Sequence, residues 1–327
     1  MMKKHKRKGT PMLNQIMQKW RGKPGITIGR PIKDRPMFAN QMQIDFMFRE
    51  LRDRGYAVDE RDLWGPRGAS IIAGSRNLIV EGFLARDGKN GPRHEYLLFI
   101  DDDQSFPLDS NPADWVQMLI DDDKDIVGAM TVRKWAPFNP NIGIYNGEEM
   151  KQVGRWPENE LFRVHQIGFG MVLVKRKVIE DLYHRTDPPS PIFFDPIEYE
   201  PLRGAVSLRG EDYRFCIESM RLGYDLWVDP RIPLLHIGEY HYGIEDYKYV
   251  RENKMKPEDI GIDLCQHTHL YAELADKLRK SSPQSRKDPE NLSDAARVAL
   301  QQKESIAGSK LPDSTSSTPP TSTPTQT

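Results

Sequence analysis

The stretch that most constrains this 327-residue chain runs from Tyr96 to Pro107, where Tyr96-Leu97-Leu98-Phe99-Ile100 leads without interruption into Asp101-Asp102-Asp103. Five apolar or aromatic residues bounded by polar ones read as a strand buried on both faces, the kind found at the centre of a mostly parallel sheet. The acids then stand at the carboxyl end of that strand. Open α/β sheets bind ligands outside the carboxyl ends of their strands, so hard oxygen ligands there suit a divalent cation and a phosphorylated molecule. The alternative is a solvated strand end or turn, where Asp is common. Three adjacent carboxylates repel one another, however, and a bound cation removes that cost. Asp121-Asp122-Asp123 serves as a contrast, because it follows the helix expected through Ile120 and reads as a solvated helix end.

Composition narrows the classes. With 47 basic and 48 acidic residues the chain is not basic throughout, which excludes wholesale wrapping of nucleic acid but leaves room for a local patch. Two cysteines, Cys216 and Cys265, exclude a disulfide framework and suit a reducing compartment. The basic start, Met1 to Lys8, is followed by Gly9-Thr10-Pro11 where the apolar core of a signal would begin, and no apolar run approaches the roughly 18 residues of a spanning helix. A soluble, cytoplasmic protein is expected.

Residues 1–24 read as a basic flexible leader. A βαβ beginning follows: Ile26 to Pro31 as a strand, a helix from Pro36 with Phe38, Met42, Phe46 and Leu51 on its apolar face, and a strand near Tyr56 to Glu60. Ser75-Arg76-Asn77 opens the next helix. A cation in a first turn opposes the helix dipole, so Arg76 calls for an anionic partner, either a phosphate or one of the Asp triplet. Asp125 to Met130 is another buried strand. Residues 132–163, rich in Gly, Pro, Asn and Trp, read as loops and hairpins beside the site.

Gly168-Phe169-Gly170, at the mouth of an apolar strand within the stretch Val164 to Val174, suggests backbone brought close to a ligand or another element, or a bulge. Glu211 and Asp212 lie in the first turn of a helix that extends to Gly223. The helix dipole accounts for one of them and leaves the other available as a general base. Asp225 to Asp229 is a further strand, and His236 or His241 would complete a site of carboxylates and imidazole.

Together Ser75-Arg76-Asn77, Phe99-Ile100-Asp101-Asp102-Asp103, Gly168-Phe169-Gly170, Gly210-Glu211-Asp212 and His236-Ile237-Gly238 resemble the motifs of GT-A class nucleotide-sugar-dependent glycosyltransferases, in particular compact family 2-like members from bacteria and bacteriophages. The resemblance covers about residues 25–245. It implies a Rossmann-like GT-A fold with a mostly parallel central sheet flanked by helices, and a metal-dependent transfer of sugar from a nucleoside-diphosphate sugar to a hydroxyl. It also implies Mn²⁺ or Mg²⁺ held by Asp101, Asp103 and His236. Arg76, Asn77, Asp101, Asp102 and Pro31 would bind the donor, and Gly168, Phe169 and Gly170 the acceptor. Asp212, with Glu211 beside it, would be the catalytic base if the reaction inverts the anomeric centre.

The corresponding domain plan is a leader at 1–24, a GT-A domain at 25–262, a helical extension at 263–307 and a disordered Ser/Thr/Pro tail at 308–327. The rival readings are a nucleotidyl- or phosphoryl-transferase with the same acidic site, and a non-catalytic sugar- or nucleic-acid-binding protein. A Gly-rich phosphate loop ending in Lys-Ser or Lys-Thr is absent from the sequence. The acceptor, whether glycan, protein, small molecule or modified nucleic acid, is not written in these motifs.

Overall fold

The apolar run Tyr96–Ile100 is the third strand of a seven-stranded sheet and is buried on both faces. The computed structural model describes residues 23–32, 38–64, 72–86, 93–186, 188–190, 194, 197–200, 205–267 and 269–281, all within one compact unit that ends at Ser281. The leader up to residue 22, the second polar helical stretch of the extension and the Ser/Thr/Pro tail lie outside the described residues.

The chain begins β1 (Gly25–Ile32), α1 (Phe38–Asp53), β2 (Ala57–Trp64), α2 (Ile72–Leu84), β3 (Tyr96–Ile100), β4 (Gln104–Ser105), α3 (Pro112–Asp121) and β5 (Ile126–Ala129). It continues through β6 (Ile142–Tyr145), β7 (Met150–Arg155), β8 (Phe162–Val164), β9 (Gln166–Ile167), β10 (Met171–Lys175) and α4 (Arg176–Tyr183). The last part holds β11 (Ile197–Glu200), β12 (Ala205–Arg209), α5 (Glu211–Arg221), β13 (Leu226–Asp229), β14 (Leu235–Ile237), β15 (His241–Tyr242), α6 (Ile244–Asn253), β16 (Ile262–Asp263) and α7 (His269–Ser281).

The main sheet has the order β2-β1-β3-β10-β5-β13-β8. Five strands run one way, and only β10 and β8 run against them. This is the expected mixed α/β architecture with a largely parallel sheet. The stretch from Val164 to Val174 is divided among β8, β9 and β10, with Gly168-Phe169-Gly170 just before β10, and β10 inserts antiparallel between β3 and β5. Alternation along the strands feeds two cores. Leu97, Phe99, Val172 and Val174 join the cluster that includes α2, α4 and α5, while Leu98, Ile100, Met171 and Leu173 join the one that includes α1 and α3. Tyr271, Ala275 and Leu278 of α7 belong to the first core.

Two local expectations are corrected. The face of α1 that meets the sheet is Ile44, Met47, Phe48 and Leu51, at spacings of three and four, whereas Phe38, Met42 and Phe46 are exposed. Of the second acid triplet, Asp121 and Asp123 are exposed, but the Asp122 side chain is only 7% accessible and bonds Arg231, which also clamps the fully buried Asp229.

Candidate active site

The acid triplet forms a tight turn joining β3 to β4, closed by Gln104 N–H donating to Asp101 O at 3.2 Å. Asn40 of α1 fixes that turn from one side, donating through Nδ2 to Asp101 O at 3.2 Å and Gln104 O at 2.7 Å. The Asp101 amide donates to Gly170 O at 3.0 Å, and Asp103 O accepts from Ile237 N at 2.7 Å. The turn therefore sends Asp101 and Asp103 to different partners.

Asp101 meets Arg76. Helix α2 already runs at Ile72, so Arg76 lies in its second turn rather than its first, and the dipole argument for a partner is replaced by an observed one. Ile79 packs where a Cβ on Gly29 of β1 would lie, which brings α2 close to the sheet with Arg76 near the carboxyl ends of its strands. The Arg76 Nη2 donates to Asp101 Oδ1 at 2.8 Å and its Nη1 to Glu211 Oε1. Its side chain is 3% exposed. The guanidinium rests 5.2 Å from the ring centre of Phe169 and 5.9 Å from that of Phe194, a contribution of about 0.5–2 kcal/mol for each favourable cation–π contact. Burial opposes its charge, and Asp101, Glu211 and Asp212 outweigh burial and hold its pKa above the ordinary value. Burial also lifts Asp101 to about 6 despite Arg76.

Asp103 meets His236 and Lys134. His236 Nε2 and Lys134 Nζ lie 3.2 Å and 2.6 Å from Asp103 Oδ2, and Gln104 Nε2 donates to Oδ1 at 3.2 Å. Burial pushes this carboxyl up, but His236 and Lys134 more than reverse it and hold it well below the usual range. The His236 ring is set by its other nitrogen, Nδ1, 2.7 Å from Val132 O. A carbonyl only accepts, so Nδ1 carries a proton, and Nε2 is the ring atom turned toward Asp103. This backbone-oriented imidazole beside a carboxylate is the arrangement of metal-binding histidines, and one or two such ligands plus phosphate oxygens suit Mn²⁺ or Mg²⁺. Among the described residues, no group of three or more His, Cys, Asp or Glu side chains gathers to hold a metal. Asp103 and His236 are the two neighbouring side chains here that could take part in holding one, with Asp101 engaged by Arg76.

Glu211 and Asp212 open α5. Glu211 is the one bound to Arg76, and the Asp212 Oδ1 accepts from Tyr213 N at 2.8 Å. A Cβ on Gly210 would lie 2.7 Å from that same oxygen, so glycine makes room for it. Burial, and then the charge of Glu211, lift Asp212 to about 6.

The remaining expected residues have structural partners. The Asn77 amide closes a pair of hydrogen bonds on the backbone of Phe194, each 2.9 Å. Pro31 lies buried near the carboxyl end of β1, and Asp102 occupies the turn between its two neighbours. Phe169, expected to touch the acceptor, is 2% exposed and packs among Phe99, Phe194 and Phe215 beneath Arg76. A Cβ on Gly168 would strike Asn141 and one on Gly170 would strike Thr131, so both glycines are required by close packing. His236 and His241 occupy neighbouring positions in the β14–β15 ladder, where His236 pairs with Tyr242 and His241 with Ile237, and they serve different partners. His241 Nδ1 lies 3.3 Å from Ser105 Oγ.

Sequence reasoning did not single out Lys134, Asn40 or the Val132 carbonyl. The only trace of Lys134 is a basic pair, Arg133-Lys134, just past a buried strand in a loop expected beside the site.

No protein-family model and no curated protein matches this sequence. Among solved structures, the chain is similar to A197 from STIV, at 16% identity over 66% of this chain and 86% of that one, with a TM-score of 0.38. It is similar to a glycosyltransferase involved in the glycosylation of the major capsid of PBCV-1, at 16% identity over 48% and 63%, TM-score 0.29. It is also similar to the nucleoside-diphosphate-sugar pyrophosphorylase from Vibrio cholerae RC9, at 12% identity over 74% and 85%, TM-score 0.30. Among the described residues no helix is long and apolar enough to cross a membrane.

Proposed function

We propose that this chain is a metal-dependent glycosyltransferase that moves a sugar from a nucleoside-diphosphate sugar to a hydroxyl acceptor. The observation that best supports the reading is the division of labour at the end of β3. Asp103 and His236 face each other as donor atoms, while Arg76 ties Asp101 to Glu211 and leaves Asp212 the acid beside them that Arg76 does not bond. Asp101, Asp103, Glu211 and Asp212 are four carboxylates against the basic side chains Arg76 and Lys134. A diphosphate approaching such a site needs additional positive charge.

A divalent ion held by Asp103 and His236 would supply Lewis-acid stabilisation of the departing diphosphate. Arg76 is too deeply buried to reach outward, and its part is to hold β3 and α5 in register so that the carboxylates keep their positions. Asp212 takes the proton of the acceptor hydroxyl as that oxygen bonds to the anomeric carbon. The bond from that carbon to the diphosphate oxygen breaks, and its electron pair leaves with the diphosphate. A carboxyl lifted to about 6 is still ionised at neutral pH and is a stronger base than an ordinary Asp. This single displacement inverts the anomeric centre.

The test is turnover. UDP-, GDP-, CDP- and dTDP-linked sugars are incubated with the protein and Mn²⁺, and release of nucleoside diphosphate is measured with water as the fallback acceptor. Turnover of one donor class that Asp212→Asn suppresses supports the proposal. Absence of turnover with every donor contradicts it.

A further inference from the structure

Beside the Asp103–His236 pair stands a row of aromatic rings that the transfer chemistry does not use. Phe138 stacks on Tyr242 at 5.0 Å and 20°, and Tyr240 meets Tyr242 edge-on at 5.4 Å. The row begins next to Lys134: a Cβ on Gly238 would lie 3.1 Å from the Tyr242 ring and 3.4 Å from Lys134 Cδ. Phe138 and Tyr242 each pack one side on the core. Tyr240 is 61% exposed, and so, at 63%, is Trp135, whose carbonyl accepts from Phe138 N at 2.8 Å.

Large rings left in water beside a polar centre are the informative kind of exposure. The backbone gives a second sign. Phe138 has φ of 58°, a left-handed conformation that costs a bulky residue on the order of 1 kcal/mol or more and persists where the surroundings enforce it. Here the ring is stacked on Tyr242.

We propose that Trp135, Phe138, Tyr240 and Tyr242 form the acceptor platform of this enzyme and that the acceptor is a neutral carbohydrate. This rests on the glycosyltransferase reading and adds the acceptor class to it. Amphipathic rings supply flat apolar area with polar edges, which matches the apolar faces and hydroxyl rims of a sugar. Charge favours a sugar over a nucleic acid. Lys134 is bound to Asp103, and the exposed charged residues of the two segments that carry the rings, Arg133 and Glu239, are of opposite sign. A polyanion would require a run of uncommitted cations along the platform. The platform also lies on the Asp103 side of the β14–β15 hairpin, since Tyr242 pairs with His236.

The experiment titrates the full-length protein by calorimetry in two separate arms: UDP, GDP, CDP and dTDP with Mn²⁺, and then maltose, cellobiose, lactose and chitobiose, each with and without nucleotide, alongside a single-stranded oligonucleotide. Tyr240→Ala and Trp135→Ala change exposed side chains, and Tyr240→Phe keeps the ring. The expected result is that one saccharide binds the wild type, both alanine variants weaken it by about tenfold or more, and Tyr240→Phe retains it with nucleotide affinity unchanged. The proposal is overturned if the alanine variants lose nucleotide affinity, since the rings then hold the donor's base. It is also overturned if saccharide binding is indifferent to them, if the oligonucleotide binds in place of sugars, or if no saccharide binds. A failure of the nucleotide arm alone sinks the donor reading and is seen separately.

Discussion

The Nε2 of His236 and the Oδ2 of Asp103 face each other at 3.2 Å, while the same imidazole is pinned through Nδ1 to the Val132 carbonyl at 2.7 Å. Two acceptor atoms at that separation are comfortable only with a proton or a cation between them. Lys134 Nζ reaches the same oxygen at 2.6 Å, so the carboxylate already has one mobile cation.

Lys134 and a divalent ion would therefore compete for Asp103. Lys134→Met is expected to tighten Mn²⁺ binding to the nucleotide-free protein by roughly two- to tenfold, the scale of a half-exposed ion pair. Titration calorimetry reads this directly, and unchanged or weaker Mn²⁺ binding in the variant contradicts the competition.

Asp212 carries the acid–base step of the proposal. Asp212→Asn should lower kcat by about 10²- to 10⁴-fold while leaving nucleoside-diphosphate affinity within about threefold. Because burial lifts the wild-type carboxyl to about 6, activity should fall as pH drops through about 6 and the base becomes protonated. An acid limb well below 5, or a variant with wild-type kcat, removes Asp212 from that role.

Arg76 neutralises two carboxylates from inside the protein. Arg76→Met leaves Asp101 and Glu211 facing each other without a counter-charge and should destabilise the fold by about 3–5 kcal/mol in urea denaturation. Arg76→Lys offers one ammonium where a fork spans two acids, so it should recover only part of the loss. A loss of under about 1 kcal/mol in Arg76→Met would mean that the bridge is structurally idle.

Asp122 provides a pH test remote from the site. Burial and the neighbouring Asp229 raise it to about 6 although Arg231 lowers it. A raised folded pKa means that the contribution is fully favourable below the unfolded value of about 4 and is lost as pH rises through about 6. Asp122→Asn keeps an oxygen for Arg231 and removes the charge. It should stabilise the protein by about 1–3 kcal/mol at pH 8 and by nothing measurable below pH 4. Thermal melts across that range check it, and a pH-independent difference would contradict the burial argument.

The central strand, the acid turn and the acid-led helix α5 were legible because each depends on neighbouring residues: an unbroken apolar run, a cluster of turn-forming acids, carboxylates in a first turn. The partner of Arg76 was half legible. A cation near a helix start asks for an anion, and Asp101 was a candidate, but Glu211 lies 135 residues away and only the packing of α2 on β1 and of β10 beside β3 unites the three. The α1 face was not legible because that helix carries two apolar stripes, and periodicity does not say which one the sheet covers. Likewise His236 and His241 are equivalent as letters. Hairpin register gives one to Asp103 and the other to Ser105. Phe169 reads as ligand-facing from its flanking glycines, yet those glycines serve Asn141 and Thr131.

The most direct test of the account is calorimetric binding of UDP, GDP, CDP and dTDP with and without Mn²⁺, on the wild type and on Asp103→Ala. The account predicts metal-dependent binding of one nucleotide that disappears in the variant. A folded protein that binds none of them in the presence of metal, or binds one equally well without Asp103, would contradict it.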